Sequence, residues 1–563
     1  MSGKQLTRNE YDLILIGSGM GALTVASLMS QLRNKRILVL ERHFKAGGFT
    51  HDFKRKQFHW DVGLHYVGEM EPGSQMRGIF DLVTANHVQW NKMPEPFDKF
   101  VYPEFSFNLY GDEKRYIADL IKLFPQEKSA IRQYFRDVKK AAGALINDSM
   151  GKSSSLPVKL LGSAGKLWNR FPLNITVKDY LDKHFQDPKL KALLVSQWGD
   201  YGLPPSICAF VQHATIVQHY LSGGYYPVGG AGEIAASVMK IVEKSGGKFL
   251  LNREVTEVLI EDGSAVAVRV RKLNAQNLNT KNVNTKDNPD AATFSGTEEY
   301  YAPVIVSNVG TANTYLKLIP RDYPIPFRDS LQRFIKQYSP TTNLTVYLGF
   351  SEDPRKLGFK GENHWIYSSI DHEETYEHRG SWINEDTQPL NVYLSFPSLK
   401  DPKAENNTAE IIVDSDYEPF AQWKNQPWLH RDDSYQQLKQ RLMDRLIDFV
   451  DKYYPGFAEI IAYKEISTPL TNEHFTAHHQ GAIYGLPAVC DRISDARSVR
   501  FAPQNSAWTT PKTPLPGLYL TGSDVCSSGI VGAMMGGVFT LSDIPGGISF
   551  PEVFAGAAKS KSK

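Results

Sequence analysis

The residues with the most informative spacing are small ones near the start of the chain, followed by an acid. Residues 17–22, GSGMGA, match the pattern G-x-G-x-x-G/A. Gly17 permits a sharp turn, Gly19 lets the backbone approach a pyrophosphate, and Ala22 lets a helix pack closely on a strand. Glu41 follows about 20 residues later, where an acid binds ribose hydroxyls. This spacing predicts a site for a dinucleotide.

The segments around these residues have the pattern of a strand, a turn and a helix. DLILIG at 12–17 is typical of a buried parallel strand, ALTVASLMSQL from Ala22 of a helix, and KRILVLE of a second strand that ends at Glu41. A targeting segment is the alternative, but the residues before Tyr11 are mixed in charge, and glycine costs about 1 kcal/mol each in a plain helix. We therefore predict a Rossmann-like fold and expect neither a signal peptide nor a transmembrane span.

A second pair of glycines indicates FAD as the dinucleotide. An NAD-binding domain usually continues into its next helix after the acid, whereas here Gly47 and Gly48 form a loop that resembles the flavoprotein pattern, in which it runs along the cofactor. In FHWDVGLHYVG, Asp61 and Gly63 are placed to return the chain to the flavin.

The other half of the predicted site lies near the end of the chain. In PGLYLTGSDVCSSGIVGAMMGG, 516–537, a strand leads into Gly522 and Asp524, and a turn of small residues opens a helix. The N-terminus of such a helix attracts an anion or a carbonyl oxygen. Because the two halves lie some 500 residues apart, we expect a substrate domain inserted between segments of the cofactor domain.

Composition excludes several classes of protein. The chain has 563 residues, enough for two to four structural units at about 100–200 residues each. A net charge of +2 and the lack of a recognition motif give no indication of a nucleic-acid partner. The three cysteines fit neither a disulfide framework nor a zinc site, and His474, His478 and His479 have no carboxylate or cysteine that completes a metal site, so we predict no metal.

Longer motifs connect the chain to a known family. GSGMGAL, LERHFKAGGFTHDF and DVGLHYVG lie in the N-terminal part, WGDYGLPPS, HYLSGGYYPVGGAGEIA and VIVSNVGTANTY in the middle, and GLYLTGSDV near the end. With these motifs the chain resembles the flavin-dependent retinol saturase, carotenoid isomerase and phytoene desaturase family, most of all its retinol saturase branch. The resemblance extends from about residue 11 to 545.

The resemblance implies specific cofactor contacts. It places the glycine motif at the pyrophosphate, Glu41 on the adenosine ribose, and Val255 at the adenine through its backbone. The full set of predicted FAD-binding residues is Gly17, Gly19, Gly21, Ala22, Glu41, Arg42, Gly47, Gly48, Asp61, Gly63, Val255, Gly522, Asp524 and Val531. Ala22 stands where a third glycine is frequent, and alanine is allowed there. Animal members of the branch carry an N-terminal secretory or membrane segment that this sequence lacks, so we expect a cytoplasmic protein.

The pattern along the chain predicts an α/β fold, a Rossmann-like FAD-binding domain with an inserted α+β substrate domain, as in flavin amine oxidases and phytoene desaturases. The predicted segments are FAD-binding at 1–95, 216–320 and 481–563 and substrate-binding at 96–215 and 321–480. The Asn- and Thr-rich stretch 274–296 is interpreted as a hairpin insertion.

Residues 155–172, SLPVKLLGSAGKLWNRFP, allow two interpretations. A basic amphipathic segment with a tryptophan is typical of a helix that lies in a membrane interface. The alternative is an ordinary helix that faces the core and has a solvated basic side.

Catalytic candidates follow from their distance to the predicted flavin. His65 comes two residues after Gly63 and is either a proton donor or substrate gate, or a hydrogen-bonded structural histidine. Tyr225 and Tyr226 either line a substrate tunnel or pack in the core. Since VGGAGE at 228–233 fits the family's helix-opening turn, no second dinucleotide motif is evident, and the electron donor or acceptor must be external.

These observations predict an FAD-dependent oxidoreductase that acts on a C=C bond of a long apolar polyene or isoprenoid lipid, most like a retinol-type saturase. Carotenoid desaturation and redox-neutral cis–trans isomerisation are alternatives on the same scaffold. An amine-oxidase-like enzyme and a non-catalytic FAD-binding protein are further alternatives.

Overall fold

A computed structural model describes residues 10–153, 156–273, 294–385, 387–493 and 508–560. Most of the predicted insertion at 274–296 lies outside these residues. The strands are β1 (Leu13–Ile16), β2 (Ile37–Leu40), β3 (Asp52–Arg55), β4 (Phe58–Asp61), β5 (Trp90–Lys92), β6 (Asp98–Val101), β7 (Ser106–Leu109), β8 (Tyr225–Pro227), β9 (Lys248–Leu250), β10 (Arg253–Glu261), β11 (Ser264–Leu273), β12 (Phe294–Tyr301), β13 (Val304–Ser307), β14 (Thr342–Phe350), β15 (Asn363–Tyr367), β16 (Asn391–Ser395), β17 (Thr408–Ser415), β18 (Ile461–Ser467) and β19 (Leu518–Leu520).

The helices occupy the segments between and around these strands. They are α1 (Met20–Arg33), α2 (Gln75–Val83), α3 (Glu113–Leu123), α4 (Lys128–Gly151), α5 (Leu156–Trp168), α6 (Val177–His184), α7 (Pro188–Leu194), α8 (Phe210–His219), α9 (Gly232–Lys244), α10 (Thr311–Asn313), α11 (Arg328–Gln337), α12 (His372–His378), α13 (Ser381–Asn384), α14 (Pro397–Lys400), α15 (Asp433–Tyr453), α16 (Pro469–Thr476), α17 (Cys490–Ile493), α18 (Gly529–Asp543) and α19 (Phe550–Ser560).

A five-stranded parallel sheet forms the first layer, in the order β19-β13-β1-β2-β9. LILI of β1 and ILVL of β2 are buried at every position, as expected for strands covered on both faces. Helix α1 is buried from Met20 to Ser30 because α18 and α9 pack against it. The sequence-predicted strand, turn and helix at 12–33 are thus present.

A seven-stranded sheet forms the second layer, in the order β18-β14-β17-β16-β15-β6-β7, antiparallel except between β15 and β6. Its strands alternate between two faces. In β17, Ile411 and Val413 join a core cluster with residues of α15, whereas Ile412 and Asp414 face a cavity. One face of the sheet is therefore structural, and the other is available for a ligand.

The chain crosses between the two layers several times. All strands of the parallel sheet lie within 1–95, 216–320 and 481–563, and all strands of the seven-stranded sheet lie within 96–215 and 321–480. A three-stranded antiparallel sheet, β10-β11-β12, is attached beside the parallel one. The domain boundaries themselves stay predictions. In the described part of the chain, no helix combines the length and the apolar character needed to cross a membrane.

Candidate active site

A cavity of about 520 Å³ lies between the two sheets. On one side it is lined by the residues that follow β1, β2, β13 and β19, so it opens at the carboxyl edge of the parallel sheet. Ligands of open α/β sheets bind at this edge. On the other side it is lined by alternate residues of β14, β16 and β17. The cavity thus joins a dinucleotide-type edge to the free face of the second sheet.

The glycine motif and Glu41 form one hydrogen-bonded unit at this edge. The backbone N–H and the hydroxyl of Ser18 donate to Glu41 Oε2 at 2.9 and 2.7 Å, and the N–H of His43 donates to Oε1 at 2.8 Å. Burial raises the pKa of Glu41, and these hydrogen bonds oppose the rise. Gly17 adopts φ +85°, a conformation that favours glycine, which makes the turn possible. Glu41 is therefore fixed in place at the cavity wall.

The second glycine pair packs directly on this turn. The N–H of Gly47 donates to the hydroxyl of Ser18 at 2.9 Å. A Cβ atom on Gly48 would lie 3.0 Å from the Cα of Gly19. The two glycine loops, which the sequence analysis assigned to the same cofactor, line the same cavity.

Asp524 ties the C-terminal half of the site to two other loops. Its carboxylate accepts from the N–H of Thr311 and the N–H of Leu486, both at 2.8 Å. The first turn of α18, at Gly529 and Ile530, then lines the cavity. Since α1 begins at the same cavity, the partial positive charges of two helix N-termini are directed to one space, which favours a ligand with two anionic groups.

On the side of the lining formed by the parallel sheet, two buried polar atoms have neither a hydrogen-bond nor an ion-pair partner within the described parts of the chain. They are Oγ1 of Thr521 and Oδ1 of Asn313. An unsatisfied buried polar atom costs about 1–3 kcal/mol, so such atoms at a cavity indicate that a ligand completes them. Together with the glycine loops and the helix N-termini, they fit a dinucleotide.

The end of the cavity near β10 is formed by an irregular strand edge and by charged side chains. Val255 and Thr256 line it, and the register of β10 with β11 shifts between Val255 and Glu257, as in a β-bulge. A bulge frees backbone groups from the ladder, which suits the predicted backbone contact of Val255 with an adenine. The Nε atom of Arg42 lies 3.5 Å from Oε1 of Glu254. Burial lowers the pKa of the neighbouring Lys317.

The side formed by the second sheet is rich in aromatic residues and contains two carboxyl groups. The aromatic side chains are Tyr347, Trp365, Tyr393 and Tyr484. Burial raises the pKa of Asp414 to about 7 and that of Asp200 well above its ordinary value. A carboxylic acid that keeps its proton can donate a hydrogen bond in apolar surroundings. This part of the cavity therefore suits an elongated, mainly apolar ligand.

His65 lines the cavity in front of two buried charged residues, Glu410 and Lys400. Its Nδ1 lies 2.8 Å from Oε2 of Glu410, a residue with no exposed surface. Behind them, the ammonium of Lys400 donates to the backbone carbonyl of His65 at 2.9 Å and to the hydroxyl of Ser395 at 2.6 Å. Burial lowers the pKa of Lys400 to about 7, although nearby carboxylates such as Glu410 favour its charged form.

Sequence reasoning missed Glu410 and Lys400. One signal was present: Glu410 interrupts the apolar run TAEIIV of β17, and a charged residue in such a strand needs a buried partner. Lys400 gave no comparable signal, because its contacts with His65 and Asn363 join distant parts of the chain.

Most of the predicted cofactor residues line the cavity, and so does His65. The lining residues among them are Gly17, Gly19, Glu41, Arg42, Gly47, Gly48, Gly63, Val255, Gly522 and Asp524. Gly21, Ala22, Asp61 and Val531 do not line it. Ala22 is fully buried in helix packing. Their assignment to FAD stays a prediction.

Asp61 and Tyr225 have other surroundings than the sequence analysis expected. The carboxylate of Asp61 accepts from the N–H of Ala231 at 2.8 Å and from the hydroxyl of Tyr226, and so holds the start of α9. Tyr225 pairs with Lys92 across β5 and β8 and bridges to Val67. Because Tyr225 is outside the lining, a catalytic role for it finds no support in this cavity.

Comparison with known proteins agrees with this architecture. The NAD(P)-binding Rossmann-like domain family matches residues 15–82. The all-trans-retinol 13,14-reductase of Danio rerio is 31% identical over 547 residues, which cover 94% of this chain and 84% of that protein. Prolycopene isomerase 2 of an Oncidium hybrid cultivar is 24% identical and covers 86% of this chain and 77% of its own length.

A solved structure shows the same fold at low identity. Cyclohexylamine oxidase from Brevibacterium oxydans superimposes with a TM-score of 0.55 at 13% identity, over 98% of this chain and 99% of that one. The predicted Rossmann-like domain with an inserted α+β domain is thus confirmed, and so is the prediction of an enzyme of the oxidoreductase type. The chain belongs to the family of the all-trans-retinol 13,14-reductases and prolycopene isomerases.

Proposed function

We propose that this enzyme binds FAD in the cavity between its two sheets and reduces a C=C bond of a long apolar polyene or isoprenoid lipid, with His65 as the proton donor. The observation that carries the proposal is the continuity of one cavity from the glycine loops to the aromatic face of the seven-stranded sheet, with His65 in its wall. The relatives named retinol reductases support the direction of the reaction.

FAD fits the cofactor side because two helix N-termini, two glycine loops and two unsatisfied polar atoms are directed to one space. Bound flavin supplies a hydride at its N5 atom, and the protein supplies position and exclusion of water. Gly17, Gly19, Gly48 and the start of α1 are proposed to hold the pyrophosphate, and Thr521 and the start of α18 the flavin side. The electrons are proposed to come from an external donor.

The substrate side supports an apolar polyene. Tyr347, Trp365 and Tyr393 offer ring faces on which a conjugated chain can lie. The protonated carboxyl groups of Asp200 and Asp414 can donate hydrogen bonds to a polar end group of that lipid. The lining residues of β14, β16 and β17 include no basic side chain, so an anionic substrate would meet no counter-charge on this face.

Reduction of a double bond needs one proton besides the hydride, and His65 is placed to supply it. Since its Nδ1 faces Glu410, its Nε2 is the nitrogen free to give a proton to the substrate carbon. The carboxylate of Glu410, 2.8 Å from Nδ1, is proposed to favour the protonated ring before the transfer. The positive charge of Lys400 in turn offsets part of the cost of burying the carboxylate of Glu410.

Desaturation and cis–trans isomerisation are the alternatives, since a relative is named a prolycopene isomerase.

We further propose a cytoplasmic location, supported by Cys208, Cys490 and Cys526, which are free thiols.

An anaerobic titration tests the proposal. Purified protein is reduced with dithionite and mixed with a retinoid or a carotenoid, and the absorbances of flavin and polyene are followed together. Reoxidation of flavin in step with loss of polyene absorbance is the expected result. A shift of the polyene spectrum with flavin still reduced establishes an isomerase instead, and bleaching of oxidised enzyme by a more saturated lipid establishes a desaturase. Protein without flavin refutes the cofactor assignment.

A further inference from the structure

Helix α5 carries an uncovered apolar face. Five large apolar side chains on it are 54–92% exposed: Leu156, Leu160, Leu161, Leu167 and Trp168. At 100° per residue they fall within an arc of about 140° on the helix. Exposed apolar residues scattered singly are normal, but a contiguous group on one helix face indicates a binding surface. We call this group the α5 face.

The opposite side of α5 is fixed against α4. Val158 and Gly162 are its buried residues, and a Cβ atom on Gly162 would lie 2.4 Å from the backbone nitrogen of Gly151. Such a close backbone approach leaves no room for a larger side chain. Because this contact sets the orientation of α5, Val158 faces the core while the α5 face is directed outward.

The charged residues of α5 and of the segment that follows it are all basic. Residues 156–172 contain Lys159, Lys166 and Arg170 and no acid. Lys166 pairs with Asp148 on α4 at 2.7 Å. Lys159 and Arg170 are exposed and form no ion pair with another described residue. An apolar face with leucines and a tryptophan, flanked by unpaired basic residues, is the pattern of a helix that lies in the interface of a bilayer.

The chain leads from the α5 face to the wall of the cavity. After α5, the carbonyl of Ile175 accepts from the N–H of Phe210 at 2.9 Å, and the N–H of Ala209 donates to the carbonyl of Ala488 at 3.1 Å. Pro487, next to Ala488, lines the cavity. The segment that follows α5 is therefore hydrogen-bonded to residues next to the cavity wall.

We propose that the α5 face docks this enzyme on the surface of an anionic lipid bilayer, with the leucines and Trp168 in the interface and Lys159 and Arg170 on lipid phosphates. The inference rests on the surface alone and does not depend on the reaction.

Vesicle flotation of the purified full chain tests it, with phosphatidylcholine vesicles containing phosphatidylserine. We expect the wild type to float with these vesicles, and the combined Leu160→Ser, Leu167→Ser and Trp168→Ser variant to lose binding. Lys159→Gln and Arg170→Gln should each weaken binding about fivefold, and added salt should weaken it further. Thermal unfolding of each variant shows that it is folded.

The matched control is the pair Leu123→Ser and Leu429→Ser, which removes leucines that are 53% and 58% exposed elsewhere and should leave flotation unchanged. Equal flotation of the α5 variant and the wild type overturns the proposal, as does the failure of the wild type to bind any vesicle. If sedimentation instead shows that the wild type and the control variant are dimers and the α5 variant is a monomer, a second copy covers the α5 face and the proposal is wrong.

Discussion

Gly21 and Gly522, which lie 501 positions apart in the chain, are in backbone contact. A Cβ atom on Gly21 would lie 2.6 Å from both the nitrogen and the Cα of Gly522. The first turn of α1 and the loop after β19 therefore touch without a side chain between them. This contact brings the two halves of the candidate cofactor site together, so Gly21, a variable position of the G-x-G-x-x-G/A pattern, serves this packing and does not line the cavity.

We predict that Gly21→Ala lowers the free energy of unfolding by about 1–3 kcal/mol, since the methyl group forces two backbones apart. Purified Gly21→Ala protein should also retain less flavin than the wild type. Thermal unfolding and the ratio of flavin to protein absorbance measure the two effects. Gly143→Ala is the control, because Gly143 lies inside α4 and its nearest neighbour is the side-chain amide of Asn169 at 3.2 Å. Equal stability of Gly21→Ala and the wild type would contradict the packing argument.

Thr521→Val is predicted to have opposite effects on the two forms of the protein. In the apo form it replaces a buried hydroxyl that has no partner among the described residues, so stability should stay equal or rise. In the holo form it removes the hydrogen bond that Thr521 is proposed to make to the flavin, and the affinity for flavin should fall about tenfold. Flavin titration of the apoprotein and thermal unfolding of both forms distinguish the effects.

Thr540→Val serves as the contrast for this prediction. The hydroxyl of Thr540 is also buried, but it lies 2.8 and 2.7 Å from the carbonyl oxygens of Leu520 and Gly536, so its one proton is donated within the protein. Its loss should destabilise both forms to a similar extent. If Thr521→Val destabilises the apoprotein as Thr540→Val does, Thr521 has a structural partner and no role at the cofactor.

The sequence predicts best those features that depend on local spacing. The turn at Gly17, the acid at Glu41 and the glycine loop at Gly522 are recognisable because a tight turn and a close backbone approach restrict the residue type at fixed positions. The pairing of Glu410 with His65 was not predictable, since it depends on which strand lies beside β4 in space. Local patterns carry no information about that neighbour.

Asp414→Asn is predicted to change how stability depends on pH. Burial raises the pKa of Asp414 to about 7, so the folded protein keeps a proton that the unfolded chain releases above about pH 4. Its contribution to stability is fully present below pH 4 and is lost as the pH rises to 7, at up to about 1.4 kcal/mol per pH unit. Asparagine has no proton to lose.

The stability of Asp414→Asn relative to the wild type should therefore increase from pH 4 to pH 7 and then level off. Apparent melting temperatures across this range measure it. Asp322→Asn is the control for the substitution itself, because Asp322 is exposed. A difference between Asp414→Asn and the wild type that is the same at every pH would show that Asp414 is ionised in the folded protein.

Glu410→Gln tests whether the carboxylate behind His65 acts in proton transfer. An amide cannot stabilise the imidazolium, so reoxidation of the reduced enzyme by a polyene should slow about 10–100-fold, while His65→Gln should slow it about 10²–10⁴-fold. The double variant should be no slower than His65→Gln alone, because Glu410 acts through the histidine. Glu362→Gln is a matched control, since Glu362 pairs with His364 at 3.4 Å and neither residue lines the cavity. If the effects of the two substitutions are fully additive in the double variant, or if Glu362→Gln slows the reaction equally, Glu410 has a purely structural role. Proton transfer from His65 requires a different result, namely that Glu410→Gln changes the pH dependence of the reoxidation rate while flavin binding stays intact.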